Sequence, residues 1–130
     1  MAVANSVKSN SYSNEKQILI APELAFSIGC LVGNTGVDAD SNGRKIIKAG
    51  TPVGGTTSVL TNRQTVLTKG ASNAQGIVLH DVDVTDGDAN ATLVLAGYVD
   101  LYKVDDDVKT IITSATETLT RIVFLNGSKN

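Results

Sequence analysis

The chain has 130 residues, a length that fits one domain and buries about two-thirds of its unfolded surface in a single core. Hydrophobic residues make up 42% but aromatics only 4%, with no tryptophan, so the core must be built from Val, Ile, Leu and Ala and ring-stacking recognition of sugars or single strands is disfavoured. A net charge of −2, from 11 basic and 13 acidic residues well mixed along the chain, excludes a polybasic surface for nucleic acid or membrane.

Residues 1–17, rich in Ser, Asn and Lys, lack apolar periodicity and read as a flexible arm preceding a single domain at 18–130. The start is too polar for a signal peptide, so synthesis in a cytoplasm is expected. From Ile18 to Val32 the chain is apolar but broken by Pro22 and Gly29, which predicts buried extended segments rather than a helix or a membrane span. Cys30 lies in this run between Gly29 and Leu31. As the only cysteine it excludes an intrachain disulfide and a Cys-rich zinc site, and it reads as a small buried hydrophobe.

Six glycines punctuate residues 33–55. Asp40, Asn42 and Gly43 predict a hairpin turn, with Arg44–Lys48 as the returning strand. Pro52 in "KAGTPVGG" then marks an edge or a loop. Residues 56–70 are polar, and Val59, Leu60, Val66 and Leu67 are the expected anchors of a loop and a short strand.

The stretch "GIVLHDVDVTDGDANATLVLAGYVDL", residues 76–101, holds the only histidine and four aspartates within eight positions, Asp81, Asp83, Asp86 and Asp88. A helix-loop-helix calcium loop counted from Asp81 fails twice, because the glycine position is Asp86 and the closing glutamate position is Thr92. His80 and Asp81 are adjacent, so on a strand they face opposite sides and do not make a base and its orienting acid. No nucleophile elbow or phosphate-loop spacing accompanies them. The alternation of Ile77 and Leu79, then Val82 and Val84, instead predicts a hairpin with a phase change at His80-Asp81, an acidic turn at 86–90 and a return strand at 92–99. Asp105–Asp107 followed by Val108, Ile111, Ile112 and Ala115 predicts a helix with acids at its start. Arg121–Leu125 predicts a last strand. The fold class is mainly β with one short helix in the C-terminal half, a small, glycine-rich α+β domain.

Three segments together, "GRKIIKAGTPVGG" (43–55), the 76–101 stretch and "TRIVFLNG" (120–127), resemble the head decoration proteins of tailed bacteriophages, of the lambda decoration and Gram-positive-phage head-fibre type. The pattern is an A-G-T-P/V-L strand, then G-I-L-x-x-D-V-D, a short turn and V-L-V-x-G-x-V. Its counterparts here are Ala49-Gly50-Thr51-Pro52-Val53, Gly76 through Asp83 and Leu93 through Val99, with Val and Leu exchanged at several apolar positions.

The resemblance covers about residues 44–125 and implies a non-enzymatic cement protein without cofactor or metal. It would join the outer surface of the expanded head, as a homotrimer over three-fold positions, and clamp major-capsid subunits against DNA pressure. It implies a virion location, no membrane, and no direct contact with nucleic acid. The arm, with Ser11, Tyr12, Ser13, Asn14, Lys16 and Gln17 as contact residues, would add strand to a capsid loop. The rival readings are a capsid-surface module binding host cell-wall carbohydrate and a small hydrolase using Cys30 or His80.

Overall fold

The computed structural model describes residues 17–70 and 72–125. Among these the strands are β1 (Phe26–Val32), β2 (Ile46–Ile47), β3 (Pro52–Gly54), β4 (Val66–Lys69), β5 (Ala74–Val78), β6 (Val82–Asp83), β7 (Ala89–Asp100) and β8 (Ile122–Leu125), and the helix is α1 (Asp106–Ala115). The molecule is mainly β with one α-helix.

Five strands close on themselves. β1 runs parallel to β4, with Leu31 opposite Val66. β4 is antiparallel to β3, β3 to β5 and β5 to β7. β7 then returns antiparallel to β1, with Ile28 opposite Leu93 and Val32 opposite Ala89. The result is a small closed ring of five strands, in which β1 meets β4 only at Leu31 and Val32.

Successive strand residues point to opposite faces, so adjacent apolar residues in β5 and β7 are divided between two cores. Val78 and Leu93 face the barrel interior with Cys30, Val32, Val53 and Leu67, while Ile47, Val82 and Val84 close it from the β2–β6 pair. Ile77 and Val94 face outward into a second core, under Val104, Val108, Ile112 and Ala115 of the helix region. Covering both faces explains why these strands are apolar without strict alternation.

Helix α1 follows from its stripe: Val108, Ile112 and Ala115 recur on one side and are buried. Asp106 and Asp107 occupy its first turn, where negative charge complements the helix dipole. Thr113 donates its hydroxyl to the Lys109 carbonyl at 3.0 Å, so this weak helix former is satisfied without breaking the helix.

Beyond the ring, β7 continues into a three-stranded blade. β8 lies parallel along one edge, with Tyr98 opposite Val123. Residues 18–20 lie along the other: Ile20 N–H donates to the Tyr98 carbonyl and Asp100 N–H to the Ile18 carbonyl, both at 2.9 Å. Val94 and Val99 are five positions apart yet share the helix-side core, so the strand changes phase between them. Gly97, at φ 153°, supplies that change, and a Cβ there would meet the Ala25 Cβ at 3.2 Å.

Several expectations hold. The turn at 40–43 forms, with Asp40 Oδ1 accepting from the Asn42 and Arg44 amides at 2.8 and 3.0 Å and Gly43 at φ 79°. The phase change at His80-Asp81 also holds, since Ile77 and Leu79 pack in the helix-side core and Val82 and Val84 in the barrel.

Others are corrected. Pro52 marks neither edge nor loop; it is the buried first residue of β3, inside the ring. Its missing N–H costs no ladder bond, because the neighbouring Gly50 N–H and Thr51 carbonyl bond Val78 instead. Leu60 and Val66 are not anchors: they are exposed, whereas Val59 and Leu67 are fully buried. In β4 only one of two successive residues can face the interior, and Leu67 takes that place. The return strand is longer than 92–99, and the turn before it lies at Thr85–Gly87. The arms of the 76–101 hairpin do pair, Ile77 with Val94 and Val78 with Leu93, but Val82-Asp83 leaves the hairpin to pair with β2.

Candidate functional site

Of the expected contact residues, Ser11, Tyr12, Ser13, Asn14 and Lys16 lie outside the described residues. Gln17 is exposed, and its Oε1 accepts from the Leu19 amide at 3.0 Å. That bond and the pairing of residues 18–20 with β7 place Gln17 at the outer edge of the blade.

Two of the four aspartates of the 81–88 stretch, Asp81 and Asp83, are engaged by different backbone segments. Asp81 Oδ1 accepts from the Ala49 amide at 2.8 Å and ties the β5–β6 bend to the β2–β3 connection. Asp83 accepts from both the amide and the hydroxyl of Thr85, and these bonds hold its carboxyl below the usual carboxylate range. Thr85 Oγ in turn accepts from the Lys45 amide at 2.9 Å, linking the turn to β2. Asp86 and Asp88 are exposed on either side of Gly87, at φ 129°. Among the described residues, no three His, Cys, Asp or Glu side chains are grouped to hold a metal ion. Asp81 and Asp83 are each held by a backbone segment of their own, and Asp83 builds the turn.

Cys30 lies on the barrel-interior side of β1 and is 5% exposed. Burial pushes its thiol from 9.0 up to about 11, with the Arg63 guanidinium pulling weakly the other way. At neutral pH the group is a thiol and a poor nucleophile. It borders an open depression of about 570 Å³ lined also by Arg63, Gln64 and Asn90. His80 sits, partly exposed, at the bend between β5 and β6, and the neighbouring Asp81 carboxylate is directed to Ala49.

Two features escape a reading of the sequence alone. Lys48 spans from the β2–β3 connection to the helix start, 3.4 Å from Asp105 and 3.2 Å from Asp107; the hydrogen bond to Asp107 is the main cause of its raised pKa. Both partners are substantially exposed, so the bridge orients the helix more than it stabilises the fold. Its signal was the acid triplet at 105–107, read only as a helix start. The second feature is an exposed apolar row, Ile20, Tyr98 and Val123, crossing the three strands of the blade. Strand alternation foretells one outward side chain per pair, but nothing in one sequence says that three strands align them.

No family model and no curated protein matches the chain. Among the described residues, no helix is long and apolar enough to cross a membrane.

Proposed function

We propose that the chain is a decoration protein of a tailed-bacteriophage head, a non-enzymatic cement that binds the outer capsid surface and stabilises the shell between capsomers at three-fold positions. One observation carries the reading: the three segments that resemble the decoration family are partners of one another in the fold. Segment 43–55 contributes β2 and β3, segment 76–101 contributes β5, β6 and β7, and segment 120–127 contributes β8. β2 pairs with β6, β3 with β5, and β7 with both β5 and β8. The three segments thus meet as strand partners in two sheets, β3, β5, β7 and β8 in the larger and β2 with β6 in the smaller, and this supports reading them as one unit.

The physics of a cement suits this body. A closed ring with apolar residues on both faces of β5 and β7 resists shear, because displacing either strand exposes two cores. The contact with the major capsid protein is assigned to the arm, from Ser11 to Gln17, adding strand to a capsid loop through backbone hydrogen bonds. Many copies on a symmetric lattice turn modest single contacts into strong retention.

The test is co-sedimentation of the full chain with purified expanded heads and, separately, with cell walls of the host. Saturable binding to heads is expected. Deleting residues 2–16 should leave the melting temperature nearly unchanged and remove most head occupancy. Binding to walls and not heads would replace this reading with the adhesion module, and undiminished occupancy after the deletion would move the contact onto the folded body.

A further inference from the structure

The ring is closed thinly at one seam. β1 runs over Phe26–Val32, but β4 pairs with it only at Leu31 and Val32. Thr65, just before β4, turns its amide back to the Asn62 carbonyl, so the chain parts from β1 at that point. Among the described residues, 26–30 are therefore paired on one side only, with β7.

Backbone direction shows what this edge offers. The polar groups of successive strand residues alternate between the two neighbouring strands. The Gly33 amide donates to the Leu67 carbonyl at 2.9 Å, which assigns the odd-numbered positions to the β4 side. Ser27 and Gly29 thus direct their N–H and C=O groups to where β4 is missing, and both residues are exposed. Arg63 confirms the direction, because its Nη2 donates across the gap to the Gly29 carbonyl at 3.5 Å, the outer limit of a hydrogen bond. The gap is the depression of about 570 Å³ bordered by Gly29, Leu31, Gln64 and Asn90, and Arg63 is the only charged residue in its lining. A Cβ on Gly29 would meet nothing within 4 Å, so the backbone there is open to close approach.

We propose that this edge of β1 receives an extended acidic segment of another protein, which adds a strand beside Ser27 and Gly29 and sets a carboxylate on Arg63. This goes beyond the capsid reading, in which the chain's own arm is the added strand, and stands without it.

Two observations select this occupant. The first is the edge itself. At the rise of a strand, residues 26–30 present roughly 16 Å of one-sided ladder, the length of a short strand. An incoming strand supplies the Gly29 carbonyl with a backbone donor in place of the long contact to Arg63, and so releases the guanidinium.

The second is charge. The depression holds one base and no acid in its lining. The Arg63 charge reaches Cys30, whose pKa it pulls down against the larger effect of burial. The Asp88 carboxylate lies beside Gly33, past the paired end of β1 and outside the depression. A released guanidinium takes a carboxylate through two parallel N–H···O bonds. The chain's own residues 1–16 carry Lys8 and Lys16 against Glu15, an excess of base that Arg63 disfavours.

The probes are short blocked peptides alternating Val and Thr, with Glu, Gln or Lys placed at each position in turn. They are titrated into the full chain while amide shifts and amide hydrogen exchange are followed by NMR. The Glu peptides are expected to slow exchange at Ser27 and Gly29, to shift amides of β1 and of residues 63–64 and 90–91, and to bind about tenfold tighter than the Lys peptides. Gly29→Pro removes an edge N–H where proline is tolerated, and with the melting temperature retained it should abolish binding. Arg63→Glu, at an exposed position, should reverse the preference to the Lys peptides. Unslowed exchange at Ser27 and Gly29 with every peptide, undiminished binding to folded Gly29→Pro, or a Glu preference that persists in Arg63→Glu would each overturn the proposal.

Discussion

β7 passes through two environments, and the contrast between them organises the molecule. Its first half is a ring strand: β1 and β5 pair with its two edges, and Leu93 and Val94 are fully buried on opposite faces. Its second half belongs to a blade whose outer segments, among the described residues, pair only with β7, and where Tyr98 and its neighbours Ile20 and Val123 are partly exposed. The ring spends its apolar residues on folding. The blade keeps a share of them at the surface.

Substitutions can break or sharpen this contrast, starting with the ring. A Cβ on Gly76 would lie 2.5 Å from the Val94 carbonyl oxygen and 2.9 Å from Leu93 Cδ1, so Gly76→Val forces β5 away from β7. The loss should be on the order of 4 kcal/mol or more, read as a collapse of the urea midpoint. Leu93→Ala removes a fully buried side chain from the barrel and should cost about 3 kcal/mol. Val123→Ala, one blade strand away from Tyr98, should cost less than ~1 kcal/mol in the same assay. Equal losses for Leu93 and Val123 would erase the distinction between ring and blade.

The acidic turn should give smaller effects. Gly87 sits at φ 129° with open space around it, so Gly87→Val suffers from backbone strain alone and should cost about 1–2 kcal/mol. Asp86→Asn should be nearly silent in a melting curve. Adding calcium or a chelator should leave the melting temperature where it was, because Asp81 and Asp83 are engaged by different backbone segments and no three carboxylates of the described residues are grouped to hold an ion; a calcium-dependent rise that vanishes in Asp83→Asn would make the stretch an ion site.

A pH-dependent effect concerns Cys30. Its folded-state pKa is raised by burial from 9.0 to about 11, so the neutral thiol is favoured in the native state. That contribution is complete below pH 9, and it is lost as pH rises through 11, because the unfolded chain ionises first. Denaturation midpoints should therefore fall slightly across this window in the wild type and stay flatter in Cys30→Ala. A disulfide-exchange reagent at neutral pH should label native Cys30 far more slowly than the unfolded chain.

The parts legible in the sequence are those that local chemistry decides. The helix at 106–115 follows from the apolar spacing of Val108, Ile112 and Ala115 behind three acids, and the turn at 40–43 from Asp40 and Gly43. The shift of face at His80-Asp81 is visible in the alternation alone. What stayed hidden depends on residues far apart in the chain. Pro52 looks like a strand breaker until Gly50 and Thr51 are seen to supply the bonds it cannot make. Nothing near residues 26–32 announces that β1 pairs with both β4 and β7, so closure was invisible. Lys48 meets Asp105 and Asp107 across more than fifty residues, beyond any local pattern.

The central claim, a cement bound to the outside of a phage head, is tested most directly by a cryo-electron map of expanded heads incubated with the full chain. The account predicts density for the barrel over the three-fold and quasi-three-fold positions, with the chain before Gln17 running along a major-capsid loop. Bare heads at saturating protein, or density lying only away from three-fold positions, would contradict it.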